Sequence, residues 1–516
     1  MTRSGMTSGS RRSLAPVLTA ALAAVTALTA LAPLASAAPA AAPGHRRAAP
    51  PPGRLLTYGY GNARDGVGPR TPSLARLRRA WTDSSKVIAG GIYGQPLVDG
   101  RLVIVATEND KVYGLNAATG KIAWRYSVGA PARVATIDKT PTLAPGCGDI
   151  NPLGITGTPV IDAAAHEVLV AAEVQDHPGR PRWQNIRHVM VALKFTATSV
   201  RRAWQRPIDP PGARRHAYYI PAEQQRSALT LSRGRVYAEF GGLFGDCGKY
   251  QGYVVSVAAS GSGRLRSWRV PTVREGAIWA TDGAATNARG ELFVATGNSN
   301  NDSGRFDYGD AVIGLSPGLR IDGYFAPRDW ARRNVDDLDL GSGGPILLPG
   351  SRLVFESGKP AVSGVSTGFL LSQSRLGRVG HPRFSGTVCP GGGYVFGAEA
   401  AERLRKGGPV YLYVPCSGGT VALRVSYGLH PRFTRAWAAH GPNGTPIIAG
   451  GLVWALATGA DGGGGPSDLY GMRPLTGRVV VREQVRPVAH FATPGAGDGM
   501  IFVATAAGVQ AFKPAN

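Results

Sequence analysis

Apolar positions along this chain recur in short alternating runs rather than at helical spacing, and residues 111–128, KVYGLNAATGKIAWRYSV, carry the pattern in full. Lys111 to Leu115 alternate polar and apolar as a half-buried strand does, Asn116 to Gly120 supply a tight turn, and Ile122 to Val128 form a second strand bearing Trp124. Asn116 can bond its own backbone and Gly120 can take a positive φ, so the turn chemistry agrees with a hairpin. A lone hairpin cannot bury its own face, which makes repetition the expectation. The pattern returns at a period of about 50 residues, the range of propellers.

Eight units are legible, opening at Gln95-Pro96, Thr158-Pro159, Ser227-Ala228, Asp282-Gly283, Gly344-Pro345, Gly393-Tyr394, Thr445-Pro446 and Thr493-Pro494. Each runs on into an apolar strand, RLVIVAT in the first and MIFVATA in the last, and then a third such as VYGLNA or GVQAFK. Tryptophan marks the fourth strand at Trp124, Trp204, Trp268 and Trp437. The last unit ends before a fourth strand, while LRRAWT, Leu77 to Thr82, is a strand without a unit. The two are expected to join. The fold is therefore read as all-β: an eight-bladed β-propeller of four-stranded antiparallel blades, its ring closed by an N-terminal strand so that the end blades are not left open. The tryptophans are expected to pack blade against blade rather than to hold a ligand.

Composition adjusts this picture without changing it. Gly 72, Pro 39 and only 17% charged residues among 516 suit a turn-rich globular chain, and 43% apolar content fills a large core. The net charge of +24 points to a solvated basic surface or to attraction toward an anionic cell-envelope polymer. Basic residues do not cluster with aromatics on a recognisable module, so nucleic acid is not an expected partner. Arg3, Arg11 and Arg12 precede an apolar run, Leu14 to Leu34, and the small-residue site Ala35-Ser36-Ala37, so residues 1–37 read as an export signal and the protein as secreted. Residues 38–53 read as a disordered Ala/Pro-rich spacer and 54–516 as the propeller, with no transmembrane segment after signal removal. The four cysteines favour two disulfides in an oxidising compartment; of three pairings, Cys147 with Cys247 and Cys389 with Cys416 is preferred, because the first two sit in Gly-rich loops of successive repeats and the others bracket one strand unit.

VYGLNAATGKIAW resembles the V-x-A-L-D-A-x-T-G-x-x-x-W repeat of the quinoprotein dehydrogenases and their non-catalytic propeller relatives. The motifs CGDINPLGITGTPVID, GGLFGDCGKYQGYVV and DLDLGSGGPILL look closest to secreted propellers related to polyvinyl-alcohol dehydrogenase, though without that branch's haem domain or a CxxCH, so no built-in haem is expected. The resemblance implies pyrroloquinoline quinone (PQQ) held over a tryptophan, a calcium ion polarising it, and an aspartate taking the proton of an alcohol, polyol or sugar substrate, small or polymeric. Carried over residue by residue, it makes Glu239, Asn298 and Asp339 the metal ligands, Trp279 the quinone floor, Asp337 the catalytic base and Lys359 the cation near the quinone oxygen. The alternative carried beside it is a non-catalytic extracellular scaffold binding a protein or envelope polymer. On that reading Glu239 is a strand-end acid near Arg235, Asn298 a turn residue, Trp279 core packing, and Asp336 to Asp339 a loop ordered by Arg332 and Arg333.

Overall fold

The computed structural model describes residues 53–515, apart from 69–73, 84–86, 142, 145, 212–216, 302–303, 459–466 and 507. The chain divides into two units, Met1–Gly44 and His45–Asn516. The export signal and nearly all of the spacer lie outside the described residues.

The second unit is a ring of eight sheets. Blade one is Leu97–Asp99, Leu102–Thr107, Lys111–Asn116 and Ile122–Ser127, each strand pairing with the next. A bulge between Gly114 and Leu115 lets the Trp124 indole lie over Gly114, where a Cβ would stand only 2.2 Å from the ring. The last blade is built from Gly495–Gly497, Met500–Thr505 and Gly508–Pro514, and its fourth strand is Leu77–Thr82, paired Leu77 with Pro514 and Trp81 with Ala511. The ring closes through the strand expected to close it. The sixth unit opens later than its Gly393-Tyr394 signal. Residues Pro390–Gly392 form a 3-10 turn, Val395 bridges to Cys416, and the first strand begins only at Ala400.

Outer-strand tryptophans join the blades. The indole N–H of Trp81 donates to the carbonyl of Ala117 (2.8 Å), that of Trp124 to Thr196 (3.1 Å), that of Trp204 to Ala259 (3.1 Å) and that of Trp437 to Pro474 (2.9 Å), each in the turn after the third strand of the following blade. Gly120, Gly261 and Gly477 lie beneath three of these rings with φ of +74°, +75° and +68°. Glycine meets two demands there, the left-handed backbone and the ring above it.

Residues 53–68, which showed no element in the alternating pattern, run round the inside of the ring. Leu55 pairs with Val98 of blade one, the Leu56 carbonyl accepts from Ile161 of blade two, and Asn62 from Thr286 of blade four. Ala63 then accepts from Leu347, Asp65 from Ala401 and Gly66 from Ile448, in blades five, six and seven. The segment satisfies edge groups of first strands that would otherwise face an empty axis.

First strands begin, and second strands end, at one face of the ring, called the mouth here. Cys147–Cys247 and Cys389–Cys416 are both bonded at this face. Each ties a link between blades to the second strand of a later blade, at its last residue, Cys416, or in the loop after it, Cys247, which holds the mouth loops in place.

Gly477→Ala should cost more stability than Gly451→Ala. Both change a left-handed glycine, worth about 1–2 kcal/mol of strain, but at Gly451 nothing lies within 4 Å, whereas at Gly477 the new Cβ stands 2.5 Å from the Trp437 ring. Overpacking should add about 1–3 kcal/mol, read as a lower urea midpoint.

Candidate functional site at the mouth

Asn298 follows the strand Leu292–Ala295, and Lys359 follows Leu353–Ser357, so both emerge at the mouth. Between them the link from blade four to blade five forms a helix, Trp330–Asp336, capped by Asp337 in the left-handed conformation (φ +51°). The helix delivers Asp337 and Asp339 beside Lys359. The lysine Nζ lies 2.6 Å from Asp337 Oδ1 and 2.9 Å from Asp339 Oδ2, and donates to the Asp337 carbonyl at 2.9 Å. Asp339 Oδ1 accepts the Asn298 backbone N–H at 2.7 Å, and the Asn298 side-chain amide reaches Asp246 Oδ2 at 3.4 Å. Tyr250 donates its hydroxyl to the other oxygen of Asp246 at 2.5 Å. Burial works against the Lys359 charge, but Asp339 and Asp337 outweigh it and raise the ammonium above its ordinary value. Lys359 stays charged, with three oxygens around it.

Trp279 stands close by. A Cβ on Gly297 would meet both Asp339 Oδ1 and the Trp279 indole nitrogen. Its ring is tilted against Phe491 at 5.9 Å, and the guanidinium of Arg226 lies 5.8 Å over it and 4.6 Å over Phe491. Phe491 takes a left-handed φ of +66°, and Phe396 and His490 extend the aromatic group.

Glu239 belongs to a different environment. It lies within the strand Arg235–Gly242, opposite Val254, and its charged neighbours are Arg64 and Asp282 on the ring axis. Burial pushes the Glu239 and Asp282 carboxyls each up to about 7, against the pull of Arg64. Arg64 is itself buried, donating to Thr57 Oγ1 (3.0 Å), Tyr58 O (3.0 Å), Leu229 O (3.2 Å) and Thr230 Oγ1 (2.5 Å). The structure thus brings Asn298, Asp337, Asp339 and Lys359 together, sets Trp279 beside them, and leaves Glu239 apart, with Arg64 and Asp282 as its charged neighbours.

Calcium takes six to eight oxygen ligands at about 2.3–2.6 Å. Here Asp339 accepts the Asn298 N–H on one oxygen and meets Lys359 with the other, the Asn298 amide nitrogen donates to Asp246, and Glu239 lies apart from them, with Arg64 and Asp282 as its charged neighbours. Among the described residues no group of three or more His, Cys, Asp or Glu could hold a metal ion. The donor set does not fit calcium. The positive charge between these carboxylates is the lysine's own.

Sequence reading missed Arg64, Arg226, Asp246 and a buried His188 triad. Arg226 directly precedes the Ser227-Ala228 opening, where a cation at the start of a unit was the available signal. His188 lies 3.4 Å from Glu173 and 3.3 Å from Asp209, two groups on separate strands and a third just past the strand Val200–Pro207, and they share no spacing. Burial pulls His188 down, but hydrogen bonds and charges from Asp209 and Glu173 outweigh it and raise it to about 10.

Residues 76–238 match the family model described as PQQ_2, outer membrane protein assembly factor BamB. No curated protein matches the sequence. Among solved structures, the quinohemoprotein alcohol dehydrogenase ADHIIG of Pseudomonas putida HK5 superposes with a TM-score of 0.62 at 13% identity, over 90% of this chain and 80% of that one. A europium-containing methanol dehydrogenase gives 0.59 at 13% identity, over 88% and 89%. The quinohemoprotein alcohol dehydrogenase of Comamonas testosteroni gives 0.54 at 14% identity, over 90% and 81%. Residues 76–238 thus carry the PQQ_2-type repeat, and the chain is an eight-bladed β-propeller whose fold these dehydrogenases share. Its two disulfides mark a protein of a non-cytoplasmic compartment. No helix among the described residues is long and apolar enough to cross a membrane.

Two outcomes follow from these contacts. Lys359→Met should cost about 3–5 kcal/mol, since it strands Asp339 beneath the surface, and Asp339→Asn in the same chain should recover part of that loss in a double-mutant cycle. His188 has a folded pKa of about 10 against an ordinary 6.5, so its contribution is complete below about 6.5 and is lost as pH rises through about 10. Unfolding free energy should fall over that window by at most about 1.4 kcal/mol per pH unit, and His188→Gln should flatten the fall.

Proposed function

We propose that this chain is an exported, non-catalytic propeller that binds another component of the cell envelope, a scaffold built on the dehydrogenase ring. The observation that carries this reading is the Lys359 ammonium between Asp337 and Asp339. Burial and the Asp339 charge raise the Asp337 carboxyl against the pull of Lys359, but its oxygen is held by the ammonium at 2.6 Å and would have to leave it to take a proton, and the ammonium fills the space between Asp337 and Asp339 where a cation would sit. The Arg226 guanidinium over Trp279 supports the same view, because it stands over the ring on which a quinone would stack. Exposed arginines on the outer strands, among them Arg78, Arg79, Arg201, Arg202, Arg266, Arg269, Arg432 and Arg435, suit an anionic partner, whether protein or polymer.

A second reading is PQQ-dependent oxidation of an alcohol, polyol or sugar. It draws on the gathering of Asn298, Asp337, Asp339, Lys359 and Trp279 at the mouth and on the likeness to alcohol and methanol dehydrogenases. One measurement separates the two. The purified protein is incubated with PQQ and calcium, passed over a desalting column, and assayed for retained quinone and for dye reduction with an alcohol panel. No retained quinone is expected, and EDTA should shift the thermal midpoint by less than about 1 °C, far below the shift a saturating structural ligand would remove. Stoichiometric quinone with alcohol-dependent dye reduction would overturn the scaffold reading in favour of the second.

A further inference from the structure

The outermost strand of blade two, Val200–Pro207, is eight residues long, the longest of the eight outer strands. It ends its sheet, and among the described residues no backbone hydrogen bond crosses its outer edge. Beside it lies a groove of about 660 Å³, lined by Arg187, Arg202, Arg206 and Trp204, with Asp176 its one carboxylate. Each arginine is anchored through a single nitrogen: Arg187 to the Ile186 carbonyl (2.6 Å), Arg202 to Gln205 Oε1 (2.9 Å), and Arg206 to carbonyls of the 261–263 turn, at 2.9 Å for Gly263. None of the three is ion-paired among the described residues. These anchors fix the guanidiniums in place and leave their remaining N–H groups free to meet an anion.

The fold itself shows that such an edge accepts another strand. In blade four the outermost strand Ile321–Ala326 carries a fifth, Arg378–Val379, in parallel, with Phe325 opposite Arg378 and Ala326 opposite Val379. Blade two offers a longer edge with no such cover. Its arginines repel a second copy's equally basic edge, so the charge that guards the strand against self-pairing also selects what can pair with it.

We propose that blade two docks an extended acidic polypeptide as a fifth strand, its main chain pairing with Val200–Pro207 and the carboxylates on one of its faces meeting Arg187 and Arg202, which the register puts on the same face of the blade, while Arg206 stands on the other. This rests on the scaffold reading and names the kind of partner. The main chain supplies affinity, and alternate side chains supply selection. Carboxylates meeting guanidiniums in pairs add charge-assisted bonds at the groove.

The test uses the full mature chain and three probes: a capped peptide of about ten residues alternating Glu and Val, its Lys-Val counterpart, and polyglucuronate. Amide exchange is followed in Val200–Pro207, with the outer strand Arg432–Ala438 as control. The Glu-Val peptide should bind, slow exchange in the first strand and not in the second, and weaken at least about tenfold in an Arg187→Glu/Arg202→Glu variant whose thermal midpoint matches the parent. The Lys-Val peptide should not bind. Absence of Glu-Val binding, slowing confined to other strands, or equal binding by the variant would overturn the proposal. So would polyglucuronate binding as tightly as the peptide without slowing the edge, since that is polyanion attraction alone. Quinone uptake would sink the scaffold reading in its own assay and leave the exchange result to be judged separately.

Discussion

A four-stranded blade has two apolar faces and needs a neighbour on each, so the end blades stay uncovered until the ring shuts. Shutting it means bringing Leu77–Thr82 against Gly508–Pro514, a contact between residues more than four hundred positions apart. Once Trp81 is seated over Gly120, the last blade is held to the first by the same device that holds Trp204 to the 259–261 turn and Trp437 to the 474–477 turn. The largest buried cluster accordingly spans blades seven, eight, one and two, across the closure itself. Closing a loop of this length costs only a few kcal/mol more than closing a short one, because the entropy grows with the logarithm of length.

A closed ring creates an axis lined by the inner edges of eight strands, and residues 53–68 answer that need. The segment brings Arg64 into the interior, and a buried guanidinium demands counter-charge and acceptors. Four neutral oxygens accept from it, and Glu239 and Asp282 supply the charge. Glu239, inside the second strand of blade three, thereby has its counter-charge on the axis. Asp339, with similar local chemistry, is drawn to Lys359 at the mouth instead. Two carboxylates that a shared motif would place around one ion answer to two different cations.

Closure along the ring leaves the outward edges unpaired, and the chain handles them unevenly. Blade four has its edge covered by Arg378–Val379, while the edge of blade two is fringed with arginine. Part of the strong positive charge is therefore located at strand edges, where it bears on pairing as well as on solubility.

Blade number, strand order, ring closure, tryptophan packing and both disulfide pairs were legible in the chain, because each rests on a period, a turn residue or a spacing that survives in one dimension. The gathering of Asn298, Asp337, Asp339 and Lys359 was half legible: each follows a second strand or a blade link, and the fold sends all such positions to one face. The sequence could not say that Lys359 would place its ammonium between two carboxylates, that Arg226 would stand over Trp279, or that Glu239 would have its counter-charge on a cation 175 positions earlier. Local pattern determines which face of a strand is apolar and where the chain must turn. Which charge meets which is decided only when distant segments share one buried volume, since desolvation makes the pairing of ions a property of the assembled interior.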